Sequence, residues 1–145
     1  MRKAVRAIVI HDGKLLVMHR NKFGQLYDAL VGGGIDVGET AEQALVRELD
    51  EETGVRISNA RLVFVEEAGD PYGTQYIFLC DYAGGEPALR PDSIEAKIDE
   101  MGKNLYRPGW LPLAELAGTN FLSARLKTAI LQAVQNGFPS APQTL

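Results

Sequence analysis

Three carboxylates stand close together in one short stretch of this chain: Glu48, Glu51 and Glu52. On a helix at 100° per residue, with Ala41 at zero, they fall at about 340°, 280° and 20°. Side chains three and four apart on a helix are neighbours, and like charges there destabilise it by ~0.2–0.5 kcal/mol per pair. A cation is the natural complement. Hard oxygen donors suit Mg²⁺ or Mn²⁺. Zinc is not expected, because His11, His19 and Cys80 form no ligand cluster. Ala41 and Ala44 share the acidic face and leave room for a ligand. The competing reading is a solvated helix face, the usual meaning of a charge run.

Gly32, Gly33 and Gly34 precede this helix and are expected to break regular structure. Backbone N–H groups there, with the helix N-terminus, favour anions such as phosphate. Arg20 and Lys22, earlier in the chain, are candidates for more distant phosphates. Phosphate beside metal-binding carboxylates suggests metal-assisted hydrolysis, because a metal neutralises phosphate oxygens and lowers the pKa of a bound water. Base stacking requires an aromatic side chain; Phe23, Tyr27, Tyr72, Tyr76 and Phe78 are the candidates.

The elements that must position these groups follow from pattern and punctuation. Ala4–Ile10 and Lys14–His19 read as strands of a hairpin about His11-Asp12-Gly13. Asn21–Asp28 reads as a loop. Thr40 with Gln43 forms a capping box for a helix over Ala41–Thr53, and Gly54 stops it. Leu45, Val46 and Leu49 supply its docking stripe. Arg61–Glu67 and Thr74–Tyr82 read as strands joined by a type I turn at Asp70–Gly73. A long polar connection spans Gly84–Lys103. Leu105–Trp110 is a short strand, Pro112–Ala117 a helical turn or two, and Ser123 caps a helix through Gln135, stopped by Gly137. Strands, helix, strands, helix implies a mixed α+β fold with helices outside the sheet. A single domain over residues 1–137 and a frayed tail over 138–145 are expected.

Within this frame, Gly33-x5-Glu39-x7-Arg47-Glu48-Leu49-x-Glu51-Glu52-x-Gly54-Val55 resembles the full signature of the Nudix hydrolases, over 23 residues. The resemblance implies an α/β/α sandwich with a mixed sheet. It also implies Mg²⁺- or Mn²⁺-dependent hydrolysis of a nucleoside diphosphate linked to another group, by water attack on phosphorus. Position by position, Glu48, Glu51 and Glu52 match metal ligands, with Glu51 or Glu52 also serving to activate water. Glu39 matches a less direct ligand of metal or water. Arg47 matches an arginine that orients a glutamate, and Gly32 a backbone carbonyl ligand. A further carboxylate on the long loop is implied as ligand or general base, with Glu95 first and Asp99 or Glu100 behind it. Tyr27 and Val31 stand where members often carry Trp and Pro. Pro71 and Tyr72 fall 16 and 17 residues after Val55, near positions used by members acting on ADP-ribose and on dinucleoside polyphosphates. The expected substrate is a nucleoside triphosphate, which can be an oxidised one, cleaved to monophosphate and pyrophosphate. ADP-ribose or a nucleotide sugar is the alternative. Two other classes compete: a non-catalytic nucleotide-binding module, and an isomerase-like relative that uses a cysteine, here Cys80.

Composition narrows the setting. The 145 residues carry a net charge of −4, which argues against a broad nucleic-acid surface. Asp36 to Glu52 holds seven acids against one arginine, a net −6, so the acidity is local. No apolar run approaches the ~18 residues of a membrane span, and no secretory signal is readable. A lone cysteine suits a reducing cytoplasm. The expected partners are a small-molecule nucleotide, with no nucleic-acid polymer and no membrane, and the chain itself as monomer or homodimer.

Overall fold

The computed structural model describes residues 2–89, 95, 98 and 102–145. Strands β1 (Lys3–His11) and β2 (Lys14–Lys22) form a hairpin across Asp12-Gly13. Both turn residues have positive φ, 50° and 72°, as the tight hairpin turn favoured by Asp-Gly requires. β3 (Gln25–Ala29) and β4 (Val31–Gly34) follow, then α1 (Ala41–Thr53), β5 (Arg56–Glu67), β6 (Thr74–Gly84) and β7 (Asn104–Pro112). A short α2 (Leu113–Leu116), β8 (Phe121–Leu122), α3 (Ala124–Asn136) and β9 (Gln143–Thr144) complete the chain.

The sheet runs β8-β3-β2-β1-β6-β5-β9, with β4 also on β1 and β7 also on β2. It is mixed: β1 and β6 are parallel, as are β3 with β8 and β5 with β9. β1 meets β4 over Ala4–Ala7 but meets β2 only at Ile10 and His11. The sheet therefore forks along β1 and opens a cleft. Alternation along β1 serves two cores. Val5, Ala7 and Val9 pack with Ala44, Leu45 and Leu49 of α1. Ile8 packs on the opposite side with Leu126, Ile130 and Ala133 of α3. This is the expected α/β/α sandwich.

The helix α1 has the expected bounds and capping box, and its Gly54 cap is left-handed. Four expectations need correction. Asn21–Asp28 is not a loop: β2 runs on to Lys22 and β3 returns from Gln25, turning where Phe23 and Gly24 take positive φ. Gly32–Gly34 do not break structure but form β4 on β1. Glycine is needed there for close approach, since a Cβ on Gly32 would sit 1.8 Å from the Val5 carbonyl oxygen. The reversal between β5 and β6 is closed one residue earlier than expected, by the N–H groups of Tyr72 and Gly73 on the Gly69 carbonyl. The tail is not frayed: β9 pairs with β5, Leu145 N–H donates to the Val65 carbonyl, and Phe138 and Leu145 pack on the α3-side core. The apolar ends of the tail outweigh its two prolines.

Candidate active site

The buried arc of α1 decides which carboxylates face the cleft. Leu45 and Leu49 are buried as expected, but Val46 is 53% exposed and Ala44 takes its place. Ala44 lies at about 300° and Leu49 at about 80° on the same wheel, so the arc between them includes Glu48 and Glu52 and leaves out Glu51. Glu52 is only 8% exposed. Glu51 is 54% exposed and pairs with Arg47 at 3.2 Å. The three-carboxylate face is thus parted into two residues that line the cleft, Glu52 buried and Glu48 half-buried, and an exterior one.

Arg47 gathers the remaining acids. It donates from Nε and Nη2 to both carboxylate oxygens of Glu39, at 2.7 and 2.8 Å. It also donates to Glu48 at 3.0 Å and to the Gly34 carbonyl at 3.1 Å. Glu39 accepts in addition from the Asp36 N–H at 2.8 Å. Arg47, and then that N–H, hold the Glu39 carboxyl down to about 2. Glu39 does not line the cleft; it anchors the arginine that holds Glu48. Gly33 explains how close the strand comes to the helix: a Cβ there would sit 2.6 Å from the Glu48 carboxylate.

The cleft is a cavity of about 500 Å³. Glu48, Glu52, Glu95 and Gly32–Gly34 line it, as do Arg6, Arg20, Tyr27 and Tyr106. Burial raises the carboxyl pKa of Glu48 and, strongly, of Glu52. Glu48 and Glu95 push Glu52 further up, while Arg6 and the Gly32 N–H pull it down. Gly32 thus reaches the site through its N–H. Glu95 lies in the cavity as expected; Asp99 and Glu100 lie outside the described residues. Arg20 is held over the Tyr106 ring at 3.8 Å and donates to the Tyr27 hydroxyl at 3.1 Å. Lys22 and Phe23 line a second cavity that shares Tyr27, Tyr72 and Leu122 with the first. Tyr76 and Phe78 pack in the α1-side core. Cys80 is buried, its thiol pushed up to about 12 by desolvation, which leaves no thiolate for isomerase chemistry.

A family model, NUDIX domain, matches residues 1–130. The chain belongs to the NUDIX domain family. Relatives of this NUDIX domain include NAD-capped RNA hydrolase NudC of Shigella dysenteriae serotype 1, 33% identical over 113 residues, 78% of this chain and 41% of that protein. NAD-capped RNA hydrolase NudC of Pectobacterium carotovorum subsp. carotovorum is 42% identical over 102 residues, 70% of this chain and 35% of that protein. The chain thus spans about two-fifths of the length of these curated relatives. Their name sets an RNA substrate against the expectation of no nucleic-acid polymer. Among solved structures, an ADP-ribose pyrophosphatase from Streptococcus suis superposes with a TM-score of 0.68 at 21% identity, covering 99% of this chain and 96% of that one. A MutT structure from a study of Aliivibrio salmonicida and Vibrio cholerae gives a TM-score of 0.65 at 20% identity, covering 90% and 97%. At such identities these likenesses establish the fold.

This NUDIX domain also carries cavity residues that sequence reasoning passed over. Arg6 is half-buried on β1; its Nε donates to the Gln75 side chain at 3.0 Å, and burial lowers its pKa against the pull of Glu52. Glu66, Gln75, Ser123 and Arg125 line the α3 end of the cavity. The available signal was alternation: Arg6 lies between Ala4 and Ile8 on a strand face that is otherwise apolar. Among the described residues, no helix is long and apolar enough to cross a membrane.

Proposed function

We propose that this chain hydrolyses a diphosphate linkage in a nucleoside diphosphate compound with the help of a divalent cation. The observation that carries the reading is the pair Glu48 and Glu52, one half-buried and one buried, like charges set in a cavity whose other walls hold Arg6 and Arg20. Glu48 raises the proton affinity of the buried Glu52 carboxyl, a repulsion that a cation would relieve. Among the described residues no group of three or more His, Cys, Asp or Glu is placed to hold a metal ion. Substrate phosphates and water would have to complete the coordination of an ion held by two carboxylates, as they commonly do for Mg²⁺.

Glu48 and Glu52 would hold the ion, with the Gly32 carbonyl as a further donor. When bound, it neutralises phosphate oxygens and makes a bound water more acidic. Arg47, fixed by Glu39, keeps Glu48 directed at the cavity. Arg20, stiffened between Tyr106 and Tyr27, and Arg6 supply donors to non-bridging oxygens. Glu95, a carboxylate of the cavity wall outside α1, accepts the proton of the attacking water.

A nucleoside triphosphate, cleaved to monophosphate and pyrophosphate, is the substrate we put first, with ADP-ribose or a nucleotide sugar second. The relatives named for NAD-capped RNA support a further reading, in which the diphosphate bridge sits at an RNA end. The test is a panel of nucleoside triphosphates, ADP-ribose, a nucleotide sugar, NAD and an NAD-capped oligonucleotide, with Mg²⁺ and then with EDTA. Metal-dependent turnover of one class is expected. No turnover of any overturns the reading.

A further inference from the structure

Glu66 lies at the end of β5, only 3% exposed, and lines the cavity beside α3. Its Oε2 accepts from the Ser123 hydroxyl at 2.5 Å and pairs with Arg125 Nε at 3.3 Å. Ser123 is the N-cap of α3 and accepts from the Leu126 N–H. One oxygen therefore ties the helix to the sheet. The other, Oε1, has no partner among the described residues. Since no buried side-chain nitrogen or oxygen among them lacks a partner, Oε1 keeps access to the cavity. That oxygen is open to a donor from a molecule bound in the cavity.

The surroundings indicate what that donor is. Gln75 pairs with Glu66 across the strands and is held at both ends: its oxygen accepts from Arg6 and its nitrogen donates to the Tyr72 carbonyl. The run Arg6, Gln75, Glu66 thus joins the α1 carboxylates to the α3 end of one continuous cavity. Tyr72, Leu122 and Leu126 add flat, apolar surface to it, which suits the face of a planar ring. An ionised carboxylate only accepts hydrogen bonds. It favours a ring edge that presents adjacent N–H donors and repels one whose amine stands beside a ring-nitrogen lone pair.

We propose that Glu66 is a specificity-determining residue that selects a nucleobase edge with an exocyclic amine next to a ring N–H, the pattern of guanine rather than of adenine or cytosine. This deepens the diphosphatase reading and rests on it for the orientation of a nucleotide in the cavity. The test is binding, measured by calorimetric titration of GMP, IMP, AMP and CMP into the full chain with Mg²⁺. GMP should bind at least about tenfold tighter than AMP or CMP, the discrimination of one well-made polar pair. IMP, which keeps the ring N–H and lacks the amine, should fall between. Glu66→Gln, which can keep the bond from Ser123, should bring the four within about threefold while melting within a few degrees of wild type. Equal binding of the four, binding of none, or a folded Glu66→Gln variant with its preference intact overturns the proposal. Should Glu66→Gln fail to fold, the wild-type series decides alone. A guanine preference without turnover of any diphosphate would sink the hydrolase reading and leave this one standing; turnover without preference would do the reverse.

Discussion

Gly33→Ala offers a way to move Glu48, the carboxylate we propose as a metal ligand, without touching its chemistry. An added Cβ would lie 2.6 Å from the carboxyl carbon and Oε1 of Glu48 and 2.7 Å from Oε2, whereas ordinary contact begins at 3.4 Å. The Glu48 head must retreat by about 0.8 Å. The obstructing atoms are the end of a flexible side chain, so the backbone has no need to shift. The fold should lose little, at most part of the Arg47–Glu48 pairing. Activity should fall much further, because a displacement of ~1 Å at a reacting centre can cost ~10²-fold. We expect kcat/KM with Mg²⁺ to drop by about two orders of magnitude on whichever panel substrate is turned over. The melting temperature without metal should move by only a few degrees. Gly32→Ala is the control: its Cβ would strike the backbone of Val5 at 1.8 Å, so stability and activity should collapse together. Activity of Gly33→Ala within a few-fold of wild type would refute the reasoning, as would loss of its fold.

Glu52→Gln removes the charge of the buried member of the Glu48–Glu52 pair. Turnover should fall by ~10²-fold or more, and the melting temperature in EDTA should hold or rise; a parallel loss of stability and activity would argue for a packing role. The Nδ1–H of protonated His19 donates to Asp28 at 2.6 Å, a hydrogen bond that raises the His19 pKa above 6.5. That stabilisation is therefore complete below the unfolded value and is lost as pH rises through the folded one. It is modest because His19 is partly exposed. Melting curves across pH 5 to 9 should show this slope in wild type and lose it in Asp28→Asn; an unchanged slope would sink the assignment. Cys80, its thiol at about 12, should resist a thiol reagent until the chain is unfolded, and Cys80→Ala should keep turnover within a few-fold; rapid native labelling would contradict its burial.

The spacing of Glu48, Glu51 and Glu52 was legible because a helix turns by a fixed angle per residue, and Thr40, Gln43 and Gly54 marked its bounds by local hydrogen bonding and backbone freedom alone. The hairpin at Asp12-Gly13 was legible for the same local reason. The local signals marked Leu45 and Leu49 for burial but did not contain the full arc on which α1 docks, which takes in Ala44 and leaves Val46 out. Packing of Ala44, Leu45 and Leu49 against β1 turned Glu48 and Glu52 inward and left Glu51 to Arg47 and solvent. The glycines read as a break became a strand because β1 offered a partner and α1 left no room for a Cβ. Arg6 and Glu66 drew no notice as single charges on strands far apart in sequence. Only the fork of the sheet along β1 placed them in one cavity, because a contact between distant segments depends on the whole topology and not on any one segment.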